Sequence, residues 1–165
     1  MADEMILQCD GLTKLIETFR AYFTDIDTSP IMIAAMAKIG AEIEAEAKQN
    51  LLNKIYNTPE GWYERSGFLK ANLKADKPTG GGGELAVTVR AQEKYAIYVE
   101  MGTGIYGTGK KRAKWFYKSG DGKTHISHGM KARPFLLPAL QIKANRAQQI
   151  LEEALTEFLN TKVQL

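Results

Sequence analysis

Apolar positions along the chain recur with helical or strand period, and the blocks they form outline the elements. The longest block starts at Ser29-Pro30, where serine is a good N-cap and proline at the first helical position forfeits no hydrogen bond. Ile33, Met36, Gly40, Ile43, Ala47, Leu51 and Ile55 then fall on one stripe, with Lys38, Glu42, Glu46 and Gln49 off it. The spacing predicts a helix over residues 30–56, roughly 40 Å long. Ala34, Ala35, Ala37, Gly40, Ala41 and Ala45 keep much of it thin, so another element can approach closely. A second long helix is predicted over 135–160, with Leu140, Ala144, Ala147, Leu151, Ala154, Leu155 and Phe158 inward. Pro138 is tolerated only in a first turn, so this helix begins between Pro134 and Leu137. Near the N-terminus, Leu12, Leu15, Ile16, Phe19, Tyr22 and Phe23 predict a shorter amphipathic helix. Met5 to Cys9 before it is a short apolar run, either a strand or an extended arm.

Between the long helices the signals are shorter. Ser66 to Ala75 reads as a short helix with Phe68, Leu69 and Leu73 inward, and Pro78 to Gly83 as a flexible, glycine-rich connector. Leu85, Val87 and Val89 alternate with Ala86, Thr88 and Arg90, the pattern of one half-buried strand. Tyr95 to Met101 fits strand or helix equally and is ended by Gly102-Thr103-Gly104. Trp115 to Lys118, the turn Ser119 to Gly122, and Lys123 to Ser127 read as a β-hairpin. The expected fold class is α+β: two long helices on a small, mainly antiparallel sheet formed by 85–89 and the 114–128 hairpin, which protrudes. One domain over 1–165 is expected, with an arm at 1–10, a Gly-rich loop at 78–84 and a basic loop and hairpin at 105–128.

Composition agrees with one globular domain: 165 residues, 44% apolar and 25% charged. Cys9 is the one cysteine and cannot form an internal disulfide. The N-terminal residues lack a secretory signal pattern and no stretch approaches a membrane span, which suggests synthesis in the cytoplasm and no membrane partner. Charge changes the picture more. The net charge is +3, yet residues 105–133 hold eight basic side chains against Asp121, so that segment carries +7 and the remainder −4. An acidic body with a basic insertion suggests a surface facing something negative, either nucleic acid or an acidic neighbour.

The candidate chemistry is thin. Gly102-Thr103-Gly104-Ile105-Tyr106-Gly107 imitates the dinucleotide fingerprint, but no helix follows to receive a pyrophosphate. The overlapping run to Lys111 imitates a phosphate loop, with Lys111 where the magnesium-binding hydroxyl belongs. His125 and His128 would lie on opposite faces of a strand, so no metal site is expected of them, and no cofactor either. Glu100 has no partner that would make it catalytic; it is expected to cap backbone N–H groups of the adjoining turn or to pair with Arg133. No catalytic residue is assigned. Lysines around Trp115, Phe116 and Tyr117 fit a nucleic-acid contact, or rings packed on the hairpin's own partner with the lysines solvated.

Three segments together resemble a family. Tyr95-Ala-Ile-Tyr98-Val-Glu100-Met-Gly102-Thr103 resembles a signature of tailed-bacteriophage neck and minor tail proteins, the tail-completion and head-tail joining components. Arg133-Pro134-Phe135-Leu-Leu-Pro138-Ala139 is similar to that family's second signature, which leads into the C-terminal helix. Arg65 to Leu73 is similar to a third element, with Ser66 and Phe68 as departures. The resemblance implies a structural virion protein, not an enzyme: a homo-oligomeric ring of about six subunits at the neck. It would complete the tail and join it to the head, after assembly in the host cytoplasm. Its partners would be copies of itself and a head-closure, tail-terminator or tail-tube protein. Tyr95, Tyr98, Glu100, Gly102, Thr103, Arg133, Pro134 and Phe135 would be scaffold residues. Lys110, Lys111, Arg112, Lys114, Trp115, Lys118 and Lys123 would contact a neighbouring subunit, or DNA in the channel.

Overall fold

The computed structural model describes residues 26–59, 65–81, 84–107, 114–118 and 122–163. The expected N-terminal arm and first amphipathic helix lie outside these residues. Two long helices organise the rest: α1, Pro30–Leu51, and the C-terminal helix Leu136–Val163. They run antiparallel, since Asn50 of α1 reaches Phe135 just ahead of the C-terminal helix, Glu46 pairs with Lys143 and Glu42 with Arg146. Their shared core takes Met32, Ala35, Ile39, Ile43, Ala47 and Leu51 from α1, and Ala139, Ile150 and Ala154 from its partner.

Two expectations about the buried faces are corrected. In the first turns of α1 the buried stripe runs through Met32 and Ala35, and Ile33 and Met36 are half-buried. In the C-terminal helix, Leu140 is 53% exposed and Ala144 is also exposed. Phe135, 2% exposed, is the cause: once this ring is anchored, the residue one turn on that faces inward is Ala139.

After Leu51 the chain widens into one π-turn, Leu52–Tyr56. The Arg65 guanidinium donates to the carbonyls of Ile55, Thr58 and Pro59, and so ties down the chain where it leaves this turn. From the same end of the bundle, Lys54 donates to the Pro134 carbonyl at 2.6 Å and the buried Asn50 amide to the Phe135 carbonyl at 3.1 Å. The last helix is thereby pinned where it starts.

The helix expected over 66–75 is shorter. A single turn, α2, spans Phe68–Ala71, and Leu73–Ala75 is strand β1. Leu69 and Leu73 are buried as expected, whereas Phe68 is 60% exposed. The expected single strand through 85–89 is divided, because its halves have different partners. Thr79–Gly81 (β2) pairs with Glu84–Ala86 (β3), and β1 pairs with Val89–Ala91 (β4) in the register Leu73↔Ala91, Ala75↔Val89. Val87, between the halves, turns its side chain onto Gly40 of α1: a Cβ at Gly40 would lie 2.7 Å from Val87 Cγ2 and 3.2 Å from Ala75 Cβ. Glu44 accepts the Ala75 N–H at 2.7 Å beside its ion pair with Lys48. Burial acts to raise the Glu44 carboxyl, but these hydrogen bonds outweigh it and hold the group below its ordinary range.

Tyr95 to Met101 resolves as a helix, α3, over Ala96–Met101, followed by a 3₁₀ turn at Gly104–Tyr106. Trp115–Lys118 (β5) and Thr124–Ser127 (β6) pair antiparallel, with Phe116 opposite Ile126. The fold is therefore α+β, and the described residues form three two-stranded ladders in place of one sheet. The C-terminal helix is α4. No helix among the described residues is long and apolar enough to cross a membrane.

Candidate assembly surface

Two segments far apart in sequence, 95–106 and 128–137, form one unit. Four backbone-directed bonds lace them. The Arg133 N–H donates to the Val99 carbonyl at 2.8 Å, and the Thr103 N–H to the Met130 carbonyl at 2.8 Å. In return the Met130 N–H donates to Thr103 Oγ1 at 2.9 Å, and the Ile105 N–H donates to the His128 carbonyl at 3.0 Å. Gly102 makes the crossing tight. Its φ is +72°, in the left-handed region, and a Cβ there would come within 2.8 Å of the Met130 carbonyl oxygen and the Ala132 nitrogen.

Glu100 closes the unit. One carboxylate oxygen accepts the N–H groups of Phe135 and Leu136 at 2.8 and 3.0 Å, and the other accepts that of Leu137 at 3.0 Å. These are donors at the start of α4 that no helical carbonyl can reach. The negative charge also faces the positive end of the helix dipole. Of the two expected roles, capping is therefore met at the N-terminus of α4 and not in the Gly-Thr-Gly turn. Among the described residues no ion pair joins Glu100 to Arg133, whose guanidinium makes no hydrogen bond there. Pro134 offers its carbonyl to Lys54, and Phe135 fills the core. Spacing alone hides this cap, since 35 residues separate Glu100 from Phe135.

The unit carries exposed apolar surface on both sides of the clasp. Ile97 and Met101 on α3, with Leu137 and Leu140 on α4, are each at least half exposed. Tyr95 and Tyr98 are exposed as well and line a groove of about 490 Å³ over Ile55, Leu69 and Val99, edged by Arg133. All three segments that carry the family resemblance contribute to this groove.

The basic residues divide. Lys110, Lys111 and Arg112 lie outside the described residues, and of Trp115 only the backbone is described. Lys114, Lys118 and Lys123 are exposed. Phe116 and its cross-strand partner Ile126 share one face of the ladder and are both more than half exposed. On the other face Tyr117 stacks on His125 with ring centroids 5.4 Å apart. Among the described residues no cluster of three His, Cys, Asp or Glu side chains could hold a metal ion.

A unit whose polar groups join two distant segments, and which turns Ile97, Met101, Leu137 and Leu140 outward, has the features of an assembly component. The comparison with known families agrees: the family described as "Bacteriophage HK97-gp10, putative tail-component" matches residues 13–102. That is more than half of the chain, and the chain belongs to this family of structural tail components of tailed bacteriophages. The match takes in the Arg65–Leu73 element and ends at Gly102, so the Arg133–Ala139 segment lies beyond it. No curated protein matches the chain. No solved structure matches it either.

Proposed function

We propose that this tail component works as a homo-oligomeric ring at the neck of the virion, where it completes the tail and joins it to the head. The observation that carries the reading is the apolar surface on either side of Glu100. Ile97, Met101, Leu137 and Leu140 are turned outward on a hydrogen-bonded unit, and large apolar side chains exposed on either side of one clasp point to a contact surface. Copies would meet head-to-tail, with the basic 105–133 segment of one against the more acidic body of the next, the heterologous contact that closes into rings. A ring of about six would bind a head-closure, tail-terminator or tail-tube protein, assembling first in the host cytoplasm. No step calls for a cofactor or catalysis.

A second reading is favoured by exposed Lys114, Lys118 and Lys123 beside the exposed Phe116: the ladder contacts DNA in the channel without reading sequence. One variant separates the two. Changing Lys110, Lys111, Arg112 and Lys114 to Glu is expected to block ring formation and head-tail joining, measured by native mass and by infectivity of mixed heads and tails. Salt-sensitive DNA binding by the wild-type monomer that this variant abolishes, with assembly intact, would establish the channel-contact reading instead.

A further inference from the structure

The groove beside Tyr95 and Tyr98 combines an apolar lining with basic side chains. Its floor is apolar, built by Ile55, Leu69 and Val99, and its rim holds two arginines with different duties. Arg65 is spent on three backbone carbonyls, whereas the Arg133 guanidinium makes no hydrogen bond or ion pair among the described residues. Exposed Lys131 lies two residues away. Such a groove suits a short segment that pairs apolar side chains with adjacent negative charge.

The chain itself contains one. Asp3 and Glu4 are followed directly by Met5, Ile6 and Leu7, in a stretch that precedes both the described residues and the family match at 13. A head-to-tail ring, as read above, would bring this stretch of one copy to the groove of the next. The described chain starts at Ile26, beside the first turn of α1, and the groove lies past the last turn, about 33 Å away along 22 helical residues.

We propose that the groove binds the N-terminal arm of a second copy, with Met5, Ile6 and Leu7 on the floor and Asp3 and Glu4 toward Arg133 and Lys131. This rests on the ring reading above, and it names the contact that links neighbours. The test is a fluorescent peptide of residues 1–11 titrated with the full-length protein, alongside native mass of the same samples. Saturable binding is expected. It should weaken at least ten-fold with Arg133→Glu and recover when the peptide carries Asp3→Lys and Glu4→Lys, a recovery that a misfolded variant could not show. In the full chain, Arg133→Glu should shift the mass toward monomer, and the same two lysines should restore the oligomer. No saturable binding, or binding indifferent to Arg133→Glu, overturns the proposal. If the oligomer persists in that case, the ring reading survives and only the arm contact is lost. A chain that stays monomeric at every concentration while its groove binds the peptide overturns exchange between copies, and the ring with it.

Discussion

Glu100 shows how much one side chain can contribute when its geometry is right. Its carboxylate receives three backbone N–H groups at the start of α4, each within 3.0 Å. Hydrogen bonds to a charged acceptor are worth more than neutral ones, and a negative charge at a helix start adds a dipole contribution. Removing the group also leaves donors near the buried Phe135 without a partner. Glu100→Ala is therefore expected to destabilise the fold by about 2 kcal/mol, with Glu100→Gln losing less because one oxygen still accepts. Urea unfolding followed by circular dichroism measures both, and equal midpoints for wild type and Glu100→Ala would remove the cap from the account.

Between elements, the decisive contacts are close approaches that only small residues allow. Ala47 and Ala139 are fully buried in the shared core of α1 and α4, and Gly40 meets the β1–β4 region through Val87 and Ala75. Glycine in the middle of a helix is normally a liability of up to about 1 kcal/mol against alanine. Here the lack of a side chain is what admits Val87, since any Cβ would begin 2.7 Å from its methyl group. Gly40→Leu is expected to cost about 1–3 kcal/mol by overpacking, and to lower the melting temperature by about 3–10 °C in a calorimetric scan. A melting temperature that rose would mean the ladder moves aside freely and that the approach is not tight.

Across the whole molecule, the apolar side chains left outside matter as much as those within. Leu137 and Leu140 occupy one side of α4 that neither α1 nor the ladders cover. Because they are exposed, replacing both with lysine should leave the unfolding free energy within about 0.5 kcal/mol per site. The same double change should abolish self-association, read as a shift in native mass at concentrations where wild type assembles. If the oligomer is unchanged, the ring uses another face of the molecule.

The extent and period of the long helices were legible because an amphipathic stripe is local: it needs only the spacing of residues on their own element. The start of α4 near Leu136 was readable for the same reason, since Pro138 constrains its own turn. Periodicity left Tyr95 to Met101 open, and the α-helical answer came from outside it. Ala96 and Val99 are buried by other elements, and Glu100 is needed at the end of α4. The division of 85–89 between two ladders, the single turn of α2, and the outward side of Leu140 depended in the same way on partners distant in sequence. Local pattern determined which segments would be helices and where charge would gather. Tertiary structure alone decided that Glu100 caps a helix beginning 36 residues later, because that bond exists only once Phe135 has found the core and set the register of α4.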